Sequence, residues 1–249
     1  MPVIPPDPFA ADDVPTGIPA ATVIPLRDGP DGLETLLVRR NANLAFAGGH
    51  WVWPGGRLDP ADLVAAGLDP STVHLDDDLL AAARIAAARE AAEEASLVVP
   101  AECLTLVSHW TPPAVNVKRF RTFFFAVTLV DEHTIEVDGG EILEHRWQRP
   151  ADTLAERDAG TVELSPPTVI TLCRLLRHAT AADVHCAAMD EGPEIFATRF
   201  ATVPGGAVAC YFGDAALPDG GGEITDPDAP GPRHRLWMVE GAWRYERDV

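Results

Sequence analysis

The 249-residue sequence predicts an α/β protein, because strand-forming runs occur on both sides of a long alanine-rich helix. The first two runs, ATVIPL and LETLLVRR, are separated by the turn-forming residues DGPDG and predict a β-hairpin. Residues 77–96 predict the helix, for which Asp76 or Asp77 is a suitable N-cap and which Pro100 closes. The later run FRTFFFAVTLV is largely apolar, which predicts a central strand buried on both faces.

The sequence after this strand predicts two more helices, followed by a region of short strands and loops. Residues 151–157 predict a short helix, and residues 168–180 predict a longer one with leucines at helical spacing. From about residue 185, short strand-like runs such as EIFATRF, AVACYFGD and HRLWMVE alternate with loops rich in glycine, proline and aspartate. We therefore expect three parts: a flexible lead-in at 1–19, a main domain at 20–182 and a β-rich C-terminal extension at 183–249.

The net charge of −19 argues against a protein that binds duplex nucleic acid, because an acidic surface without a Lys/Arg cluster repels phosphates. A small phosphorylated substrate remains compatible with this charge, since a bound divalent cation can reverse the local field. The chain lacks an apolar run of the roughly 18 residues that span a membrane, and its first residues do not resemble a secretion signal. We expect a cytoplasmic protein whose four scattered cysteines are free thiols.

Three glutamates on the long helix are the main candidates for chemistry. At about 100° per residue, Glu90, Glu93 and Glu94 share one face, and their mutual repulsion would be relieved by a cation. Carboxylate oxygens suit Mg²⁺ or Mn²⁺. On the helix and its charge pattern alone, a solvated acidic face in a structural protein is the favoured interpretation. The face expected to pack on a sheet is the opposite one, made of Ala81, Ile85, Ala88, Ala92 and Ala95.

The sequence Pro54-Gly55-Gly56, followed by REAAEEASL at 89–97, resembles the signature of the Nudix hydrolase family. That signature runs Gly, five residues, Glu, seven residues, then Arg-Glu-hydrophobic-x-Glu-Glu-x-Gly-hydrophobic. Ser96 replaces its last glycine, and an insertion at about 63–81 separates Gly56 from Arg89. Asp62 stands where the signature has its first glutamate. The partner of Arg89 is therefore open between this residue and Asp76, Asp77 or Asp78.

The resemblance implies a Nudix-type α/β/α sandwich with a mixed sheet. It also implies that Glu93 and Glu94 bind Mg²⁺ or Mn²⁺ together with the backbone carbonyl of Gly55. Glu90 would be either a further metal ligand or the base that activates water, and Arg89 would orient the glutamates. A fourth carboxylate is expected from the loop after Gly139-Gly140, with Glu141 as the first candidate and Glu144 as the second.

The tract PGG-x-x-D-x-x-D at residues 54–62 is similar to one found in a branch of the Nudix family. That branch resembles the peroxisomal coenzyme A diphosphatases, and its signature is also interrupted by an insertion. The preceding LLVRRNANLAFAGGHWVWPGG resembles a coenzyme A-associated element, LL-x-x-R ending in PGG, although the second Arg of that element is missing and Ala45-Phe46 stand in its neighbourhood. Substrate-binding candidates are Arg39, Trp53, Gly56 and Arg119. The resemblance implies cleavage of a pyrophosphate bond in a small nucleotide-like molecule, with coenzyme A or an acyl derivative first. An enzyme for ADP-ribose or NADH-type dinucleotides, a non-catalytic nucleotide-binding module and a homodimer remain open.

Overall fold

The structure of the protein is a computed structural model. It describes residues 17–44, 47–73, 78–113, 119–130, 133–217, 223–224, 226–240 and 242–248. Most of the expected lead-in, and the two candidate N-caps Asp76 and Asp77, lie outside these residues.

The main sheet has eight strands in the part of the chain that the structure describes. They are β1 (Ile18–Gly29), β2 (Gly32–Arg40), β3 (Trp51–Val52), β4 (Gly55–Arg57), β5 (Thr105–Thr111), β6 (Phe120–Thr128), β7 (Ile142–Gln148) and β8 (Glu194–Ala197). The order is β3-β2-β1-β6-β5-β8, with β4 also paired to β1 and β7 to β2. Strands β1 and β6 are parallel, as are β5 and β8, while the hairpin β1–β2 is antiparallel. The predicted mixed sheet and hairpin are therefore confirmed.

Five α-helices occur among the described residues. They are α1 (Pro60–Ala65), α2 (Leu80–Ala95), α3 (Pro150–Asp158), α4 (Pro166–Leu175) and α5 (Ala181–Glu191), and a 3-10 turn covers Ala101–Cys103. Helix α2 is the predicted alanine-rich helix. Helix α4 begins earlier than predicted, because two prolines occupy its first turn, where the missing N–H groups have no helical partner to lose.

Helices cover both faces of the main sheet, which confirms the α/β/α sandwich. Phe123 and Phe125 of β6 pack in one apolar cluster with the alanines of α2. Phe124, between them on the strand, belongs to a second cluster with residues of α4 and α5. Because successive side chains of a strand point to opposite faces, this alternation confirms that β6 is central and buried on both sides.

The face of α2 that packs on the sheet differs from the predicted one. Ala83, Ala87 and Ala91 are fully buried; of the predicted face, Ala95 is fully buried and Ala88 packs against the same cluster, whereas Ala81 is exposed. The buried stripe continues into Glu94, so the acidic residues lie beside the packing face and not opposite it. The small alanine side chains let the helix approach the sheet closely enough for Glu94 to reach the backbone of β4.

Helix α2 ends at Ser96 in a left-handed conformation, with φ 52° and ψ 22°. A residue with a Cβ atom is strained there, and glycine, which the family signature has at this position, is not. We expect Ser96→Gly to raise the free energy of unfolding by about 1 kcal/mol, measured by urea denaturation. Ser96→Ala keeps the Cβ atom and should show no such gain. Equal stability of both variants and the parent protein would contradict this account of the helix end.

The C-terminal extension contains a second, antiparallel sheet, as predicted. Its strands, in the order β12-β11-β10-β9, are β9 (Arg199–Val203), β10 (Gly206–Cys210), β11 (His234–Val239) and β12 (Ala242–Arg247). The predicted boundary at 182/183 falls inside α5, and β8 pairs with β5 of the main sheet. Glu194 of β8 forms ion pairs with Arg174 of α4 and Arg247 of β12, which tie the second sheet to the main one.

None of the helices in the described residues is both long and apolar enough to cross a membrane. The four cysteines are free, as expected, and Cys103 and Cys186 are exposed.

Candidate active site

The glycine pair of β4 meets the glutamates of α2 at close range. The N–H of Gly55 donates a hydrogen bond to Oε2 of Glu94 at 2.9 Å. A Cβ atom added to Gly55 would lie 2.5 Å from the carbonyl oxygen of Ala21 on β1, and one added to Gly56 would lie 2.4 Å from Oε1 of Glu90. Both distances are far below van der Waals contact; at Gly55 the obstacle is backbone, so only glycine allows the approach there, whereas at Gly56 it is the end of the Glu90 side chain.

Replacing Gly55 and replacing Gly56 should lower the free energy of unfolding by different amounts. Gly55→Ala collides with the rigid backbone of a central strand and should lower the free energy of unfolding by about 1–3 kcal/mol. Gly56→Ala collides with the flexible end of Glu90, so it should cost less stability and mainly displace that carboxylate. Urea denaturation and hydrolysis assays on both variants test this. A Gly56→Ala protein as unstable as Gly55→Ala would contradict the assignment.

Arg89 has a well-defined partner in Asp62. Its Nε and Nη2 donate to the two carboxylate oxygens of Asp62 at 3.1 and 2.9 Å, and Asp62 is only 2% exposed. These bonds are the main reason why the pKa of Arg89 lies above its usual value. Asp62 therefore keeps its place before the insertion, while the carboxylate of Asp78 instead accepts a hydrogen bond from the N–H of Leu80.

Arg89 also holds two of the glutamates. Its Nη1 donates to Oε1 of Glu90 at 2.8 Å and to Oε2 of Glu93 at 3.0 Å. A further bond runs from Nη2 to the backbone carbonyl of Arg57 in β4. The guanidinium thus fixes the glutamates of α2 relative to the strand that carries Gly55 and Gly56.

Burial makes negative charge costly at this site. Glu94 is 6% exposed, and burial raises its pKa to about 8; the N–H of Gly55 opposes this shift and the charge of Glu90 adds to it. Burial also raises the pKa of Glu90, although Arg89 opposes the change. Glu94 also has a positively charged neighbour, Arg40. Its Nη1 lies 3.7 Å from Oε1 of Glu94, and its Nη2 lies 3.3 Å from Oε2 of Glu141.

The donor atoms at this site fit a hard divalent cation. Carboxylate oxygens are the ligands that Mg²⁺ and Mn²⁺ prefer, and a cation would offset the cost of burying the charge of Glu94. Among the residues that the structure describes, however, no group of three or more His, Cys, Asp and Glu is arranged to hold a metal ion. The glutamates are held instead by Arg89, by Arg40 and by the N–H of Gly55.

A cavity of about 670 Å³ opens at these carboxylates. Six residues expected at the site from the sequence line it, namely Trp53, Gly55, Gly56, Glu90, Glu94 and Glu141. Glu93 does not line the cavity; its side chain is 59% exposed and pairs with Arg89 at the rim.

Two arginines expected to bind substrate lie elsewhere. Arg39 does not line the cavity and forms an ion pair with Glu144, the second candidate for the fourth carboxylate. Its neighbour Arg40 lines the cavity, because adjacent strand residues point to opposite faces. The element LL-x-x-R counts to Arg40, so the sequence contained the signal for the arginine that lines the cavity. Arg119 donates to the backbone carbonyl of Pro112 at 2.9 Å and is also absent from the cavity wall.

The C-terminal extension contributes cavity residues that the sequence did not indicate. Thr198, Phe200 and Tyr211 line the cavity, although they are distant in the chain from the glutamates. No motif surrounds them, and only the tertiary fold brings them to the site.

Comparisons with known proteins agree with the sequence motif. The family model described as NUDIX domain matches residues 17–166. Putative nudix hydrolase 7 of Caenorhabditis elegans is 25% identical over 177 residues, which cover 57% of this chain and 55% of the relative. The chain thus spans about half the length of that curated relative.

Similar folds occur among solved structures. A NUDIX hydrolase from Alicyclobacillus acidocaldarius has a TM-score of 0.60 and 23% identity, with 68% of this chain and 96% of that chain covered. The NUDIX domain of Shewanella oneidensis NrtR complexed with ADP ribose has a TM-score of 0.46 and 16% identity, with 68% and 96% covered. The family match extends over more than half of the chain and includes both the glycine pair and the glutamate helix. The chain belongs to the Nudix family.

Proposed function

We propose that the protein is a divalent-metal-dependent pyrophosphohydrolase that cleaves a nucleoside diphosphate linked to another group. The observation that carries this proposal is the grouping of Glu90, Glu94 and Glu141 with Arg40 at one end of a nucleotide-sized cavity. Cleavage of a pyrophosphate develops negative charge on phosphate oxygens, so a catalyst must supply cations and a positioned water. Carboxylates that bind a cation, next to a guanidinium, meet this requirement.

The α2 glutamates have separate proposed roles. Glu93 and Glu94, with the backbone carbonyl of Gly55, would hold Mg²⁺ or Mn²⁺. The cation would supply charge neutralisation at the phosphates. Glu90 either joins these ligands or accepts the proton of the attacking water, and its raised pKa suits it to the second task. Arg89 positions Glu90 and does not contact substrate.

Arg40 is proposed to bind a phosphate group. It lines the cavity, and its buried Nε has no hydrogen-bond partner among the residues that the structure describes. A guanidinium offers paired donors to phosphate oxygens. The Arg40 side chain therefore has one unsatisfied donor, and its terminal nitrogens lie beside Glu94 and Glu141.

Coenzyme A or an acyl derivative is the first proposed substrate, supported by the LL-x-x-R element that supplies Arg40. Enzymes for ADP-ribose or NADH-type dinucleotides are the alternative within the same reaction class. The test is a panel of coenzyme A, ADP-ribose, NADH, dinucleoside polyphosphates and capped RNA, each with Mg²⁺ and Mn²⁺ and with chromatography of the products. We expect metal-dependent release of phosphomonoesters from coenzyme A. Binding of a nucleotide without turnover of any panel member would instead support a non-catalytic binding module.

A further inference from the structure

The peptide unit between Pro54 and Gly55 is held at both of its polar atoms. Its carbonyl oxygen accepts a hydrogen bond from the N–H of Val23 at 3.0 Å and a second from the hydroxyl of Thr22 at 2.6 Å. Its N–H donates to Oε2 of Glu94 at 2.9 Å. A peptide unit is planar, and its C=O and N–H point in opposite directions. A donor on β1 that fixes the carbonyl therefore also directs the N–H towards α2.

The same orientation sets the direction of the Gly55 carbonyl, which is a proposed metal ligand. Gly55 lies opposite Thr22 in the antiparallel pair of β4 and β1, but its N–H is directed to Glu94 and not to β1. In an antiparallel strand the N–H and the C=O of one residue point to the same side. The Gly55 carbonyl therefore also points away from β1, on the side of Glu94.

The Thr22 hydroxyl is not needed to satisfy a buried carbonyl. The N–H of Val23 already supplies a donor to Pro54, and one such bond avoids the cost of burying the carbonyl. Thr22 is only 7% exposed, and the other residues at 20–26 on β1 are buried and apolar. Its hydroxyl lies within 3.3 Å of the carbonyl of Trp53 as well. We therefore interpret this second donor as a constraint on the orientation of the segment that enters β4.

We propose that Thr22 is a positioning residue for the metal site, whose hydroxyl orients the Pro54–Gly55 peptide so that the backbone groups of Gly55 face the glutamates of α2. This inference rests on the proposed function, which assigns Gly55 and Glu94 to the cation. Thr22 lines the cavity beside Gly55, but its hydroxyl hydrogen is donated to the backbone. It acts through the peptide and is not itself a ligand.

The first test measures the dissociation constant of Mn²⁺ alone, without substrate, by calorimetry. Thr22→Val removes the hydroxyl and keeps the branched shape, and we expect it to weaken Mn²⁺ binding about tenfold. Thr22→Ser keeps the hydroxyl and should restore most of the affinity. The matched control is Thr153→Val in α3, because Thr153 is also buried and donates to a backbone carbonyl, that of Arg149, but does not line the cavity. This control should bind Mn²⁺ as the parent protein does.

A second measurement needs no metal. In metal-free buffer, the Gly55 amide proton should exchange with solvent about fivefold faster in Thr22→Val than in the parent protein, because the bond that directs it to Glu94 is less well held. Nuclear magnetic resonance of labelled protein measures this rate. Thr22→Ser and Thr153→Val should leave it unchanged.

Mn²⁺ binding by Thr22→Val with the affinity of the parent protein would overturn the inference, as would a parent protein that does not bind Mn²⁺. Equal weakening in Thr22→Ser would also overturn it, because the hydroxyl would then not be responsible. Mn²⁺ affinity that depends on the Thr22 hydroxyl, in a protein that hydrolyses no member of the substrate panel, would preserve the inference and reject the proposed reaction. Metal-dependent hydrolysis in the parent protein, with Mn²⁺ affinity unchanged in Thr22→Val, would do the reverse.

Discussion

Replacing Glu94 with glutamine is expected to lower kcat/KM for metal-dependent hydrolysis by at least about 100-fold, because the change removes the charge of the proposed metal ligand but little volume. The same variant should keep or gain stability in metal-free buffer. Glutamine can still accept the hydrogen bond from the N–H of Gly55, and a neutral amide costs less to bury than a carboxylate. Steady-state kinetics and urea denaturation measure the two effects.

Loss of activity together with retained stability distinguishes a functional carboxylate from a structural one. Glu102→Gln is the matched control, since Glu102 is an exposed glutamate that does not line the cavity. The Glu102→Gln protein should have the same kcat/KM and the same free energy of unfolding as the parent protein. A Glu94→Gln protein that retains full metal-dependent activity would contradict the role assigned to Glu94.

Replacing Asp62 with asparagine is expected to lower the free energy of unfolding by about 3 kcal/mol, because it leaves the guanidinium of Arg89 partly buried without its main counter-charge. Asp62 also accepts a hydrogen bond from the N–H of Asp59, which holds the start of α1. The displaced Arg89 would no longer fix Glu90, so kcat should fall as well. Asp62→Glu, which keeps the charge, should recover part of both losses.

The control for this prediction is an exposed ion pair between the same residue types. Arg149 donates to both carboxylate oxygens of Asp152 at 2.8 and 3.0 Å, and both side chains are 44% exposed. Asp152→Asn should cost less than about 1 kcal/mol, because solvent screens this pair. Similar losses in Asp62→Asn and Asp152→Asn would show that burial of the Arg89 pair contributes nothing.

Local patterns in the sequence were sufficient to predict the parts of the site that depend on short-range geometry. Glu90 and Glu94 are one helical turn apart, so any helix over these residues puts them side by side. The glycine pair was recognisable because close approach of a backbone requires it. The α/β class followed from strands and helices whose apolar periods differ, the long aromatic strand indicated the centre of the sheet, and the sandwich followed from the resemblance to the Nudix family.

The parts that were missed depend on register or on long-range packing. Adjacent strand residues point to opposite faces of the sheet, so an error of one residue exchanges Arg39 for Arg40. The sequence analysis chose Arg39, whereas Arg40 is the arginine that lines the cavity. The packing face of α2 was wrong because alanines surround most of that helix, and its own pattern does not show which stripe faces the sheet. The partner of Arg89 stayed open because a count of residues does not show whether an insertion begins before or after Asp62.

Tyr211 shows the strongest limit of sequence reasoning. Its contact with the cavity requires β8 to join the main sheet, so that the second sheet comes to lie beside the cavity. No short-range pattern encodes that arrangement, and the family match ends at residue 166. Cavity-lining residues carried by an extension of this kind become visible only when the whole chain is folded.

The central claim is that the α2 glutamates hold a divalent cation against the glycine pair. An anomalous difference map from a crystal soaked in Mn²⁺ tests it most directly. We expect a peak at a coordination distance of roughly 2.0–2.4 Å from a carboxylate oxygen of Glu94 and from the carbonyl oxygen of Gly55. The same soak of Glu94→Gln should lose the peak. A saturating soak of the parent protein that shows Mn²⁺ elsewhere, or none at Glu94, would contradict the account.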